Sequence, residues 1–142
     1  MTEKLTGGCL CGAVTYEIHQ KPGAILACHC TDCQKASGAA ASHNLVVETD
    51  NVAITKGTPR TFAKVVDSGR TLTRFFCGDC GSPLFSRRKE MPEMTVVKAG
   101  TLDDKRGLKH TVDIWTASAT GWIPDDPGTE HFEHGRPVPP KP

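Results

Sequence analysis

The sequence predicts a mostly β protein made of short antiparallel strands, with one short helix after a central group of cysteines. Segments in which apolar and polar side chains alternate recur along the chain and are separated by turns rich in glycine and proline. Only one segment carries both a helix-start and a helix-stop signal. A length of 142 residues suits one domain. We therefore expect a single domain over 1–142, with a proline-rich surface tail from about residue 124.

The first predicted strand covers 13–18, where Val14, Tyr16 and Ile18 alternate with polar residues and so share one buried face. A short apolar run at 25–27 then leads to the central cysteines. The following pattern is one of strands and turns, typical of an antiparallel meander. The predicted strands of this part lie at 44–48, 52–55, 60–66, 71–76, 83–86, 94–99 and 111–116, with a charged loop at 87–90.

The predicted helix covers about 32–37. Thr31 and Gln34 have the spacing of a capping box, and Gly38 stands where a short helix would end. A helix that begins beside Cys33 directs its free N–H groups and the positive end of its dipole at nearby sulfurs. Both effects lower the pKa of a thiol and favour metal binding.

The charge balance argues against two kinds of partner. The chain has 17 basic and 16 acidic side chains and a pI of about 7.6, so it lacks the basic surface that nucleic acids or anionic membranes require. No apolar run is long enough to span a bilayer, and the first residues lack the apolar core of a signal peptide. We expect a cytoplasmic protein that binds neither nucleic acid nor membrane.

The seven cysteines form three tight groups: Cys9 and Cys11; Cys28, Cys30 and Cys33; and Cys77 and Cys80. An odd number at this spacing disfavours a disulfide framework, because cysteines two or three residues apart close strained rings. In a reducing compartment, a site rich in thiolates is usually occupied by zinc. The pattern therefore predicts metal binding.

The seven thiols divide as four plus three. Two motifs supported by glycines, C-x-C and C-x-x-C, predict a closed structural zinc site, named here the four-cysteine cluster: Cys9, Cys11, Cys77 and Cys80. The candidate catalytic residues form a second zinc site, named here the three-cysteine cluster: Cys28, Cys30 and Cys33. Three ligands leave a tetrahedral zinc with one open position, and a thiolate-rich ion favours a soft ligand such as a substrate thiol. We expect two zinc ions per chain and addition of a thiol to an electrophilic carbon, or the reverse cleavage.

Two other interpretations of the three-cysteine cluster stay open. A fourth ligand from His29 or His43 would make the site structural. Alternatively, the three thiols could form one transient disulfide and a spare thiol, although no thioredoxin-like pattern accompanies them. We expect the side chain of His29 to point away from the metal, because both of its neighbours are ligands.

Other polar and aromatic residues carry weaker signals. Asp32 fits the first turn of the helix better than the role of a catalytic acid. Trp115 and Trp122 fit packing better than the wall of a pocket. Five basic residues could clamp the carboxylates of a peptide-like substrate but are more simply explained as solvated side chains: Lys35, Arg70, Arg74, Arg87 and Arg88.

Three motifs occur in a fixed order: GCLCG at 8–12, CHCTDCQKASG at 28–38 and FCGDCGSPLF at 76–85. In order and spacing they resemble the glutathione-dependent formaldehyde-activating enzyme family, which includes centromere protein V. The resemblance implies an antiparallel β-tent built of short sheets around two zinc sites. It also implies a carbon–sulfur lyase that combines formaldehyde and glutathione reversibly into S-hydroxymethylglutathione. The implied substrates are a small-molecule thiol and an aldehyde, with the structural zinc on the four-cysteine cluster and the catalytic zinc on the other.

Two further functions fit the same residues. A non-catalytic zinc module would bind another macromolecule, as the chromatin-associated member of the family suggests. A thiol-based redox or metal-delivery protein would instead hold zinc loosely and form a reversible disulfide within the three-cysteine cluster.

Overall fold

The computed structural model describes residues 4–136, which form eleven strands, one α-helix and three short 3-10 turns. No helix in this range is long and apolar enough to cross a membrane. In chain order the helix and strands are β1 Leu5–Gly8, β2 Thr15–Ile18, β3 Ile25–Cys28, α1 Thr31–Ser37, β4 Ser42–Glu48, β5 Val52–Lys56, β6 Arg60–Val65, β7 Thr71–Phe76, β8 Pro83–Arg88, β9 Met91–Lys98, β10 His110–Ile114 and β11 Glu130–His131.

The strands of this range form two sheets. The smaller is antiparallel and has the order β1-β2-β5. The larger has eight strands in the order β11-β10-β3-β4-β9-β8-β7-β6. Strands β6 to β9 form the antiparallel meander that the sequence predicts. The prediction of a mostly β fold with one short helix after the central cysteines is confirmed.

The larger sheet is mixed, whereas the sequence pattern predicts antiparallel strands throughout. Strand β10 runs parallel to both β3 and β11. Between β3 and β10 lie the helix and the whole meander, and a connection of that length can return the chain beside β3 in the same direction. The parallel pairing places Ile114 beside Cys28, the first residue of the three-cysteine cluster.

The larger apolar cluster is the main core and joins the two sheets. Val14, Tyr16 and Ile18 are all buried in it, as their alternation predicts. The ring of Tyr16 meets that of Phe85 edge to face, with centroids 4.9 Å apart. Because β2 and β8 both contribute to this core, the cysteine turns next to these two strands are held at a fixed separation.

Strand β1 is not predicted by the sequence pattern, since two of its four residues are glycines, which are poor strand formers. The structure gives a reason for one of them. A side chain at Gly7 would collide with the ring of Tyr16, so the close approach of β1 to the core requires glycine there.

The predicted charged loop at 87–90 is also shorter than expected. Strand β8 continues to Arg88 and β9 begins at Met91, which leaves a tight hairpin turn. Arg87 stays within the strand because its guanidinium lies 5.0 Å from the centre of the Phe75 ring, a favourable cation–π distance.

Part of the predicted surface tail is ordered against the larger sheet. In this segment Glu130–His131 pair with β10 as strand β11, and most side chains of 124–136 are exposed. The last part of the predicted tail, 137–142, lies outside the described residues.

Gly57, in the turn between β5 and β6, offers a test of the close approach between this turn and the segment that precedes β2. Its φ is +75°, and an added Cβ would collide with the carbonyl oxygen of Ala13. Gly57→Ala should therefore lower the free energy of unfolding by about 2–4 kcal/mol, since left-handed strain and a backbone clash add. Urea unfolding of the metal-loaded protein measures this change.

Gly69→Ala is the matched control. Gly69 has nearly the same φ, +81°, but an added Cβ there meets no atom within 4 Å. This variant should lose only about 1–2 kcal/mol, the cost of the left-handed conformation alone. Equal losses in the two variants would contradict the clash at Ala13.

Candidate functional site

The four-cysteine cluster joins two turns that are far apart in sequence. All four sulfurs lie within 4.8 Å of one another. Cys9 and Cys11 occupy the turn between β1 and β2, and Cys77 and Cys80 the turn between β7 and β8. The sulfurs of Cys9 and Cys11 are 3.7 Å apart, and those of Cys11 and Cys77 are 3.8 Å apart. A tetrahedral ion with Zn–S bonds of about 2.3 Å requires sulfurs about 3.8 Å apart, so this donor set fits zinc.

Hydrogen bonds to sulfur favour the thiolate form of Cys9 and Cys80, whereas, despite a backbone hydrogen bond, burial and the neighbouring sulfurs raise the pKa of Cys11 to about 12. The backbone N–H of Val14 donates to the Cys9 sulfur at 3.2 Å, and this bond lowers the pKa of Cys9. The side chain of Ser82 lies 3.2 Å from the Cys80 sulfur and, with its backbone N–H, lowers the pKa of Cys80 to about 5. Thiolates are the form in which cysteine binds a metal, so the local hydrogen bonds prepare two of the four sulfurs for an ion.

The three-cysteine cluster forms where β3 passes into α1. Its three sulfurs also lie within 4.8 Å of one another. Cys28 ends strand β3, Cys30 is the residue that caps the helix, and Cys33 lies in the first turn. Cys28 and Cys33 are buried, and Cys30 is partly exposed. A strand end and a helix start thus bring together three sulfurs from only six residues.

The helix is capped by a cysteine, which corrects the predicted capping box. The sulfur of Cys30 accepts a hydrogen bond from the backbone N–H of Cys33 at 3.3 Å, whereas Thr31 is already the first helical residue. The Gln34 side chain instead donates to the carbonyl oxygens of His29 at 2.7 Å and Ser118 at 2.9 Å. Sulfur replaces the usual side-chain oxygen because this cap also belongs to the cysteine cluster.

The three thiols of this cluster differ in pKa. The pKa of Cys33 is lowered by its neighbours Cys28 and Cys30. The pKa of Cys28 is raised by its neighbours Cys30 and Cys33 and by burial. Ser42 and Lys98, which sequence reasoning missed, lower the pKa of Cys33 further.

No fourth ligand completes the three-cysteine cluster among residues 4–136. Neither His29 nor His43 has a ring nitrogen within the group of sulfurs. The Nε2 of His29 instead lies 2.7 Å from the Oδ1 of Asp113. The His43 ring packs edge to face on His110, with centroids 5.7 Å apart. The cluster therefore offers a metal three protein sulfurs, while the other cluster offers four.

Asp113 is a buried carboxylate beside the cluster that the sequence analysis did not single out. It accepts a 2.6 Å hydrogen bond from the Thr129 hydroxyl, and the Nε2 of His110 lies 3.1 Å from its Oδ1. Burial alone would raise the pKa of Asp113, but hydrogen bonds from His29 and Thr129 hold it below the ordinary value. The feature of the sequence that could have identified Asp113 is its position between Val112 and Ile114, as an acidic residue inside a predicted strand.

Asp113→Ala should lower the free energy of unfolding by about 2–4 kcal/mol, because it leaves buried partners unpaired. The wild-type advantage should be complete above about pH 4, the pKa of an unfolded aspartate, and shrink below it. This sign follows because the folded pKa is the lower one. Denaturant unfolding at several pH values measures both effects.

Asp103→Ala serves as the control for that measurement. Asp103 also accepts a hydrogen bond, from the Thr6 hydroxyl at 2.7 Å, but it is exposed. Its loss should cost less than about 1 kcal/mol. An Asp113→Ala variant as stable as this control would disprove the structural role of the buried network.

The weaker sequence candidates lie in different parts of the fold. Asp32 lies in the first helical turn and pairs with Lys64 at 2.7 Å. Trp122 is 71% exposed, whereas Trp115 packs with Phe132 against the apolar cluster that contains Cys28 and Cys33. Arg74 lies within strand β7. The remaining basic candidates are exposed or packed elsewhere: Lys35, Arg70, Arg87 and Arg88.

Comparison with known proteins agrees with this geometry. Residues 4–118 match the family model described as "glutathione-dependent formaldehyde-activating enzyme". The crystal structure of a Rhodobacter sphaeroides protein has the same fold, with a TM-score of 0.58 at 19% sequence identity, and the match covers 89% of this chain and 98% of that one. The family match includes both cysteine clusters and most of the two sheets. The chain therefore belongs to the glutathione-dependent formaldehyde-activating enzyme family.

Proposed function

We propose that this protein is a zinc-dependent carbon–sulfur lyase that adds a thiol reversibly to a small aldehyde, as the name of its family suggests for glutathione and formaldehyde. The observation that carries the proposal is the contrast between the two clusters. Among residues 4–136, one group of ligand atoms has four sulfurs and the other has three. Four thiolates saturate a tetrahedral zinc, while three leave one position for a ligand.

The proposed cofactors are two zinc ions per chain. The four-cysteine cluster would hold the structural ion, and its sulfur separations of 3.7 and 3.8 Å suit that role. The three-cysteine cluster would hold the second ion. When bound there, zinc supplies a Lewis acid that lets a thiol lose its proton at neutral pH while the sulfur stays nucleophilic.

Neighbouring residues of the protein would hold the sulfurs of this second site in position and exclude part of the water. Cys30 both caps α1 and belongs to the cluster, so the helix fixes the position of its sulfur. Trp115 and Phe132 pack beside Cys28 and Cys33 and limit the access of water from that side. In the net reaction a C–S bond forms, the aldehyde carbonyl becomes a hydroxyl, and the thiol proton ends on that oxygen. Cleavage reverses each change.

The test is to mix zinc-loaded protein with glutathione and formaldehyde and to follow exchange between free thiol and adduct by NMR. The adduct also forms without a catalyst, so the measured quantity is the rate above that background. We expect an increase proportional to protein concentration. A protein that carries two zinc ions and produces only the background rate, with several thiols and aldehydes, would refute the lyase and favour a non-catalytic zinc module.

A further inference from the structure

One face of the larger sheet carries polar residues that lead from the three-cysteine cluster to a lysine. In the register of the sheet Cys28 lies opposite Ser42, and Asn44 lies opposite Lys98. Residues opposite each other, or two apart along a strand, point to the same face. Cys28, Ser42, Asn44 and Lys98 therefore share one face across β3, β4 and β9.

The same face also carries an arginine on β7. Arg74 lies opposite Ser86 on β8, and Ser86 lies opposite Val96 on β9. Val96 is two residues from Lys98, so it lies on the same face of β9. Arg74 therefore lies on the cysteine-bearing face, two strands away from the strand that carries Lys98.

Lys98 is fixed by buried polar side chains, not by an acidic partner. Its Nζ donates to the Oδ1 of Asn44 at 3.1 Å, and the Nδ2 of Asn44 donates to the Ser42 hydroxyl at 3.1 Å. Both Ser42 and Asn44 are only 5% exposed. Within residues 4–136, neither Lys98 nor Arg74 forms a salt bridge with a carboxylate.

Burial lowers the pKa of Lys98, whereas negative charge on the thiols of the three-cysteine cluster raises it and so favours the charged lysine. A divalent ion held by three thiolates carries one net negative charge, and a bound substrate thiolate makes it two. Two such charges repel further anions unless cations lie nearby. Lys98 and Arg74 supply two positive charges that no described carboxylate neutralises.

We infer that Lys98 and Arg74 are specificity-determining residues that favour a thiolate over a neutral ligand at the open position of the three-cysteine site. This inference rests on the proposed function, because it concerns the ligand of the same site. The substrate enters as an anion at the metal, and the two cations balance the charge that it brings. Asn44 and Ser42 position the lysine for this role.

The experiment uses cobalt in place of zinc, since cobalt bound by thiolates absorbs visible light. Cobalt-loaded protein is titrated with 2-mercaptoethanol, which binds as an anion, and with imidazole, which binds neutral. Lys98→Met should weaken thiol binding by about tenfold, as expected for the loss of one close charge pair, while imidazole binding changes less than about twofold. Lys98→Arg should retain most of the thiol affinity.

Two further variants keep the result interpretable. Arg74→Gln should weaken thiol binding by about threefold, because its charge is more distant, and it provides the test if Lys98→Met fails to hold cobalt. Lys56→Met removes an exposed lysine of the smaller sheet and should change neither ligand's affinity. A parallel loss of thiol and imidazole affinity would mean that Lys98 only maintains the shape of the site, and would overturn the inference.

The same titrations separate the inference from the proposed function. If wild-type protein binds 2-mercaptoethanol and both cation variants bind it equally well, the inference fails and the lyase proposal stands. If no thiol changes the cobalt spectrum of the wild-type protein, both fail.

Discussion

Cys30→Ser should remove one of two bound zinc ions and at least about a hundredfold of the thiol–aldehyde activity, while the fold stays intact. The structure suggests why this substitution is selective. Cys30 accepts the helix-capping hydrogen bond from Cys33, and serine is among the preferred residues at that position. A serine hydroxyl is nevertheless a poor zinc ligand at neutral pH, so the variant keeps the cap and loses the site.

Metal analysis and unfolding measure the two parts of this prediction separately. Zinc should fall from two ions per chain to one, and the free energy of unfolding should change mainly by the contribution of the lost ion. Cys30→Ala lacks both ligand and cap, and should be less stable than Cys30→Ser by a further 1 kcal/mol or so, about the value of a helix cap. A Cys30→Ser protein that retains both ions would exclude Cys30 as a ligand.

The grouping of the sulfurs could be predicted from the sequence because it depends mainly on local geometry. Cysteines two or three residues apart in a glycine-rich turn or at a helix start are brought close together by the local backbone geometry. The pairing of Cys9 and Cys11 with the turn at Cys77 and Cys80 required only that one closed site use the two remaining motifs. The structure brings these four sulfurs together.

The surroundings of the three-cysteine cluster could not be predicted in this way, since they depend on strand register. Asp113 meets His29 across a separation of 84 residues, through a parallel pairing that no local pattern specifies. Lys98 meets Asn44 across 54 residues through the register of β4 and β9. A register shift by one residue would turn either side chain to the opposite face of its sheet. Local spacing thus predicts ligands, while long-range pairing decides what surrounds them.

Of the two cysteine clusters, the four-cysteine cluster should contribute more to the free energy of unfolding. Cys11→Ser should lower the free energy of unfolding by at least about 3 kcal/mol, or abolish cooperative unfolding, because binding of structural zinc is coupled to folding. Cys11 is the informative position, since its side chain is exposed and serine causes no packing defect. Cys77 is only 1% exposed within the main core, so its replacement would combine loss of a ligand with damage to packing.

Leu10→Ala is the control for this substitution, because Leu10 lies between Cys9 and Cys11 and is 88% exposed. It should change stability by no more than about 0.5 kcal/mol. Zinc content and urea unfolding of both variants, with and without a chelator, give the comparison. The chelator should destabilise wild-type protein strongly and Cys11→Ser little, since the variant has already lost the closed site.

Acid should reproduce the effect of the chelator. Protons compete with the ion for the four sulfurs, so metal-dependent stability is present at neutral pH and falls as the pH decreases. Hydrogen bonds from Ser82 delay this loss, because they lower the pKa of Cys80 to about 5. Ser82→Ala should therefore release zinc at a higher pH than the wild-type protein. Zinc release at the same pH in both proteins would show that the Ser82 hydroxyl does not support the thiolate.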